Sequence, residues 1–368
     1  MWRAMFLVVL GCHSQHEGAP DSATPRTITV HASNAPAATI AVRADDDAWQ
    51  VMPGPTLAFA AIDHYDVVVS CPMPSLVEAY SLTVDELQTL EYDRDCAAST
   101  AMITGTVPPV TPDTYYGINW GSWTTTLYQG TPQVQYSLSV PPGTRDLVAG
   151  VSSFPCLECR YWQDLRIQRD VTVTDTTTVD PYSTGEAIST GSYSLQSNGD
   201  PITSSSTLIA NGTRFDVSLS LNGGETTQVN ESSLAPGDRN LVVASTDTRS
   251  VEYVTRTPIT NVELPAPPDS APLISGVTAT WVSQPGAVAY RLTFPANPTP
   301  WIVHVSAALF DRTQTLGLPD VSGIPGWNVS SPTSAMSVFL ETDASLDEIL
   351  RSRPIGPSVI RTVRFDGG

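Results

Sequence analysis

The chain has no lysine. Its 18 basic residues are all arginine and face 37 acidic ones, for a formal net charge of -19. Phosphate binding needs a basic patch, so this balance excludes nucleic acid as a partner and reads as a solvated acidic surface. Long apolar runs are also missing. Beyond residues 4–10 no stretch approaches the ~18 apolar residues of a membrane-spanning helix. Catalytic signatures are absent as well: G-x-S-x-G, S-x-x-K, H-E-x-x-H and D-x-[DN]-x-[DN]-G do not occur. Of five histidines, His13 and His16 lie in a polar N-terminal stretch, while His31, His64 and His304 are isolated among strand-forming residues. No nucleophile, base and orienting acid stand in a recognisable arrangement, so a non-enzymatic protein without cofactor or metal is expected.

What the N-terminus does contain is an ordered signal. Arg3 precedes seven apolar residues, Ala4 to Leu10, then come Gly11 and Cys12. A basic start, an apolar run and a small residue read as a secretion signal. Val9-Leu10-Gly11-Cys12 resembles the bacterial lipobox, which implies cleavage before Cys12 and its diacylation. The membrane lipid is then the implied partner. His13 follows Cys12, where an aspartate would resemble the inner-membrane retention signal, so the outer membrane is the implied location. Residues 1–11 are read as signal and 12–26 as a flexible tether, since this polar stretch has two prolines and no periodicity.

Cysteine usage agrees with export. Setting Cys12 aside leaves Cys71, Cys96, Cys156 and Cys159, an even number suited to two disulfides in an oxidising compartment. Each short-range pair falls within one expected domain, so Cys71–Cys96 and Cys156–Cys159 are the favoured bridges. Only Cys156 and Cys159 have the close spacing of zinc ligands, which disfavours a four-cysteine metal site. Strand-like sequence flanks that C-x-x-C, whereas redox thiols sit at a helix N-terminus, so a structural clip is the better reading.

Short β-branched runs with period-two alternation, broken by 31 prolines and 24 glycines, predict an all-β fold of tandem β-sandwiches. Helices are expected only where Thr83-Val-Asp-Glu86 and Ser345-Leu-Asp-Glu348 offer capping boxes. Pro142-Gly-Thr-Arg-Asp-Leu-Val-Ala149 recurs as Pro236-Gly-Asp-Arg-Asn-Leu-Val-Val243, a turn feeding a buried strand. With Ile103-Thr-Gly-Thr-Val107, the first copy resembles the carboxypeptidase regulatory-like, transthyretin-like sandwich, which implies a non-catalytic accessory module. Leu264 to Pro272 carries four prolines and reads as a stiff linker. Beyond it, Val277-Thr-Ala-Thr-Trp281, Pro285-Gly286 and Ala289-Tyr-Arg-Leu-Thr-Phe294 resemble a fibronectin type III module. The resulting division is sandwiches at 27–101, 102–180 and 181–264, a linker at 265–272 and a fibronectin-like domain at 273–368.

Two clusters merit a ligand reading. Asp45-Asp46-Asp47 could offer calcium oxygens, but adjacent side chains in a strand point oppositely, so an acidic turn is favoured. Tyr115, Tyr116, Trp120, Trp123 and Tyr128 form the densest aromatic group. On one strand Tyr116, Ile118 and Trp120 share a face, while Tyr115 and Trp123 share the other. Trp120 is therefore expected in the core, with Tyr115, Trp123 and Tyr128 as a possible glycan-binding surface. Surface display, adhesion or scaffolding is the leading function, with a glycan or another envelope protein as partner. Glycan binding and a hydrolase working between domains are the alternatives. Exposed coplanar aromatics would favour the first, a pocket of convergent carboxylates or a histidine the second.

Overall fold

The computed structural model describes residues 24–97, 99–109, 114–127, 134–153, 159–197, 200–220, 224–267, 270–295, 299–332, 337–351 and 356–366. Strands dominate it, and the three α-helices among the described residues are short, so the all-β expectation holds. None of these helices is long and apolar enough to cross a membrane.

The first segment contains β1 (Arg26–His31), β2 (Thr39–Ala44), β3 (Gln50–Val51), β4 (Thr56–Ala61), β5 (His64–Pro72), β6 (Ser75–Thr83) and β7 (Thr89–Glu91). A three-stranded sheet, β4-β1-β7, shares a core with β2, β5 and β6 through Ile28, Val30, Leu90, Val42, Val67 and Leu82. The Cys71–Cys96 disulfide is formed, as expected for two cysteines of one segment, with the two Cα atoms 5.4 Å apart. The helix expected from Thr83 does not form. Thr83 Oγ1 donates to Glu86 (2.6 Å) within a single turn, and the chain enters β7 at once. Pairing of Thr89–Glu91 with β1 claims residues that a helix would need.

The second segment runs β8 (Ala101–Val107), β9 (Thr114–Trp120), β10 (Trp123–Leu127), β11 (Val134–Val140), β12 (Gly143–Ser153), β13 (Cys159–Tyr161), β14 (Gln163–Val173) and β15 (Thr176–Thr178). Along β8, burial alternates strictly, with Ala101, Ile103 and Val107 inward. Sheet β11-β8-β15 closes over a five-stranded sheet that runs β10-β9-β12-β14 and then a strand of the third segment, burying Ile103, Leu138 and Val140 against Ile118, Trp120 and Leu147.

The third segment comprises α1 (Pro181–Thr184), β16 (Glu186–Ile188), β17 (Thr190–Ser194), β18 (Thr203–Ala210), β19 (Thr213–Ser220), β20 (Glu225–Val229), β21 (Arg239–Ser245) and β22 (Arg249–Thr255). Strands cross the boundary drawn at 180 in both directions: β13 pairs with β19, and β16 pairs with β14. The other face of the five-stranded sheet packs Val148, Leu165 and Ile167 on Leu208, Phe215 and Val217. This sheet is therefore buried on both sides.

The last segment holds β23 (Leu273–Ser275), β24 (Thr278–Thr280), β25 (Ala289–Phe294), β26 (Trp301–Ser306), α2 (Ala307–Thr313), β27 (Thr315–Gly317), β28 (Ser337–Thr342), α3 (Leu346–Leu350) and β29 (Ser358–Asp366). Here the sequence signal for a helix is right. Ser345 Oγ accepts from Glu348 N, and the Glu348 side chain accepts from Ser345 N, a complete capping box. Sheet β23-β24-β27 covers β26-β25-β28, enclosing Ala279, Leu316, Tyr290, Leu292 and Val338.

The sandwiches follow one another along the chain, yet one sheet draws strands from all four segments. Thirteen strands run in the order β13-β19-β18-β21-β22-β29-β28-β25-β26-β6-β5-β2-β3. The last segment sits in the middle: β29 pairs antiparallel with β22, and β26 pairs parallel with β6. Both of its edges are thereby covered, which removes unpaired strand borders. Trp49 of the first segment reinforces the join, its Nε1 donating to Asp320 O at 2.9 Å.

Candidate functional site

The aromatic cluster is built by a hairpin that the sequence concealed. Trp120 ends β9, Gly121 and Ser122 make the turn, and Trp123 begins β10 directly opposite Trp120. Gly121 has φ +66°, which suits the first central position of a type II′ turn. Because cross-strand partners share a face, Trp123 stands on the Trp120 side, 6.5 Å ring to ring. Trp120 is fully buried, as expected, and Trp123 is half-buried against the same core.

Tyr115 corrects the expectation of an exposed pair. It is 6% exposed and meets Trp162 edge-on at 5.0 Å, on the opposite face of β9. The reason is a slot. Gly117 and Gly150 oppose each other on β9 and β12, and a Cβ on Gly117 would stand 2.5 Å from the Trp162 ring. Glycine there lets the indole lie against the sheet, and Tyr115 and Phe215 flank it. Tyr115 and Trp123 thus do not form one surface. Tyr128, Cys12 and the Cys156–Cys159 pairing lie outside the described residues or side chains.

Asp45 serves a turn. Its carboxylate accepts from the backbone N–H groups of Ile62, Asp63 and His64 at 3.0, 2.9 and 3.1 Å. Among the described residues, no group of three or more metal-ligating side chains converges. The repeated Pro-Gly turns also acquire a purpose. Asp146 accepts from Arg169 (2.6 Å) and Asp170 N (2.9 Å), while the matching Asn240 exchanges two bonds with Val229. Each repeat delivers a buried polar side chain that ties down a neighbouring strand.

The strongest concentration of buried chemistry lies elsewhere, on one face of the long sheet. Glu252 of β22 opposes Ile360 of β29, and Thr362, two residues on, opposes Glu341 of β28. Arg291 of β25 opposes His304 of β26, which in turn opposes Tyr80 of β6. The direct pairings and the two-residue steps put all of these on the same side. Residues from all four segments close over this row: Arg94 and Asp95 after β7, Ser122 of the aromatic hairpin, Arg214 of β19, and Glu348 to Arg351 around α3. They enclose a cavity of about 290 Å³. Cys96 follows Arg94 and Asp95 directly, so the disulfide anchors that wall.

Pairing inside the cavity is extensive but incomplete. Arg291 Nε meets Glu341 Oε1 at 2.9 Å. Arg94 Nε meets the fully buried Glu78 at 2.8 Å, and His304 Nε2 lies 3.9 Å from the other Glu78 oxygen. Tyr80 stacks on His304 at 5.1 Å. Burial opposes ionisation of Glu78, but His304, Arg94 and Tyr92 outweigh it and hold this carboxyl below its usual range. Glu252 behaves oppositely. Burial and the neighbouring Glu341 push its carboxyl up, against the opposing pull of Arg291 and Arg214. Among the described residues, Glu341 Oε2 and His304 Nδ1 have no hydrogen-bond partner although both side chains are buried.

Sequence reasoning passed over Glu252, Arg291 and Glu341, and took His304 for an isolated histidine in a strand. In β25, Arg291 alternates with Tyr290 and Leu292, the pattern of a solvent-facing position. The covering segments are remote in sequence, so no local signal marks that face as interior. The chain matches no protein-family model and no curated protein sequence.

Proposed function

We propose that the protein is a lipid-anchored envelope scaffold, held in the outer membrane through Cys12 and displaying its sandwiches as one block. The observation that supports this reading is the sheet that continues from the first segment through the last to the third. Tandem modules joined by linkers alone would swing independently, whereas shared strand pairing makes a stiff display unit. The stretch from Cys12 to β1 at Arg26 gives this block a tether of at most roughly 50 Å. Membrane fractionation tests the anchor. Cys12→Ser should move the protein from the detergent phase to the soluble fraction, and a variant that stays membrane-bound refutes the lipid reading.

A hydrolase acting in the cavity ranks second, favoured by the presence of Glu252, Glu341 and His304 in one lining. It stays second because Glu341 is engaged by Arg291 and Glu348 by the helix cap. The glycan platform loses its basis, since Tyr115 is buried away from Trp123.

A further inference from the structure

One border of the first sandwich is left open. Among the described residues, β4 pairs only with β1, and β3 pairs only with β2. Residues 52–55 alone join β3 to β4, so both unpaired borders lie on the same side of this sandwich. The β1–β4 register runs without a bulge from Arg26↔Ala61 to His31↔Thr56. Its parity is fixed by two bonds. Ala32 N donates to Pro55 O at 2.8 Å, and Thr29 N, opposite Ala58, donates to Gln88 O on the β7 side. Hydrogen-bonding groups alternate in direction along a strand, so the N–H and C=O of Thr56, Ala58 and Ala60 point away from β1. These three residues are exposed, whereas Leu57 and Phe59 are partly buried against the core. Natural edge strands are blunted by charges, prolines or bulges. Within β4 there are none, and Ala48 to Ile62 carries no charge in a chain of net charge -19. Val51 and Ile62, near the ends of this stretch, are exposed apolar side chains.

We propose that β4 pairs with β4 of a second copy of this chain, antiparallel across a twofold axis at Ala58. A twofold contact needs a patch that complements itself. With Ala58 on the axis, Thr56 of one copy opposes Ala60 of the other, so the outward N–H and C=O groups of all three residues find partners. Leu57 then opposes Phe59 on the core face, giving each partly buried side chain an apolar cross-strand neighbour. On the solvent face only Thr and Ala meet, and both are small. Charge selects the occupant. Two copies this acidic repel each other over most of their surfaces, and this border is an uncharged stretch where they can approach. A partner recognised through basic groups would find no carboxylate on β4. A six-residue border makes a small interface, so the pairing is weak and concentration-dependent. The inference is independent of where the protein is anchored.

Sedimentation of the full chain in detergent, over a range of protein concentrations, tests it. A reversible monomer–dimer equilibrium should appear and strengthen with added salt, which screens the acidic surfaces. Ala58→Glu and Ala58→Lys each set like charges opposite one another on the axis and should weaken pairing by about tenfold or more. Ala58 is exposed, so neither substitution should shift the melting temperature of the monomer. An equimolar mixture of the two variants should pair again. Cross-linking reads the register. Ala58→Cys should form an interchain disulfide under mild oxidation, because the Cα atoms of a directly opposed hydrogen-bonded pair are ~5.5 Å apart. Ala60→Cys should not, since its counterpart lies roughly 13 Å further along the strand. A monomer at every concentration, which would leave this border to a strand of another protein, overturns the proposal. So does a dimer indifferent to both charges, or faster cross-linking at Ala60 than at Ala58.

Discussion

Truncating each tryptophan of the aromatic hairpin tests the register on which this end of the molecule rests. Trp120 is fully buried among Ile118, Leu147 and Ala149, with Arg145 stacked over its ring at 5.3 Å. A tryptophan buries about 150–250 Å², which at ~25 cal/mol/Å² bounds its transfer contribution at about 4–6 kcal/mol. Its Nε1 has no hydrogen-bond partner among the described residues, so removing the ring also removes a desolvated donor and trims the loss. Trp120→Ala should therefore cost about 3–4 kcal/mol, the lower part of the usual range for large core truncations. Trp123 is only partly buried, so Trp123→Ala should cost less, about 1–2 kcal/mol. Their rings face each other across the hairpin, so the double variant should show a coupling of about 0.5–1.5 kcal/mol. Urea unfolding of the four proteins supplies every term. Equal costs for the two single variants, or no coupling, would refute a tight turn at Gly121-Ser122.

Two further perturbations follow from local geometry. Replacing Cys71 and Cys96 together by Ser opens a bridge between residues 25 apart, and denaturant unfolding should show a loss of about 3.5 kcal/mol from restored chain entropy. At Asp45, burial opposes ionisation, but the N–H bonds from Ile62, His64 and Asp63 outweigh it and hold the carboxyl below its usual range. A depressed carboxylate adds stability that is complete above its unfolded pKa of about 3.9 and is lost as pH falls through the folded value. Asp45→Asn should thus lower the melting temperature at pH 7 and make little difference in strong acid, as thermal scans across pH would show.

Local signals were legible wherever a residue's neighbours in sequence are also its partners in space. Ser345 and Glu348 cap each other within one turn, so their spacing was sufficient. Period two placed Trp120 inside correctly, because a sandwich has one apolar face per strand. The same rule failed at Trp123, where a two-residue turn reset the alternation, and at Tyr115, where a second layer covered the outer face of β9. It failed at the candidate site for a related reason. Arg291, Glu341 and Glu252 occupy positions that a two-layer sandwich leaves in water, and it is the other segments of the chain that bury them. Pairing of β26 with β6, more than two hundred residues apart, leaves no trace in either strand's own pattern.

That pairing also explains why the charged row exists where it does. A sheet formed by joining the last segment to two others presents one face to whatever those segments carry, and here it faces the disulfide-anchored wall and α3. For stability alone, buried ion pairs such as Arg291–Glu341 are poor choices, since well-packed apolar replacements are often neutral or stabilising. Glu252 is a worse choice, because its ionisation is opposed by both burial and Glu341. Stiffness would be served better by leucines at these positions.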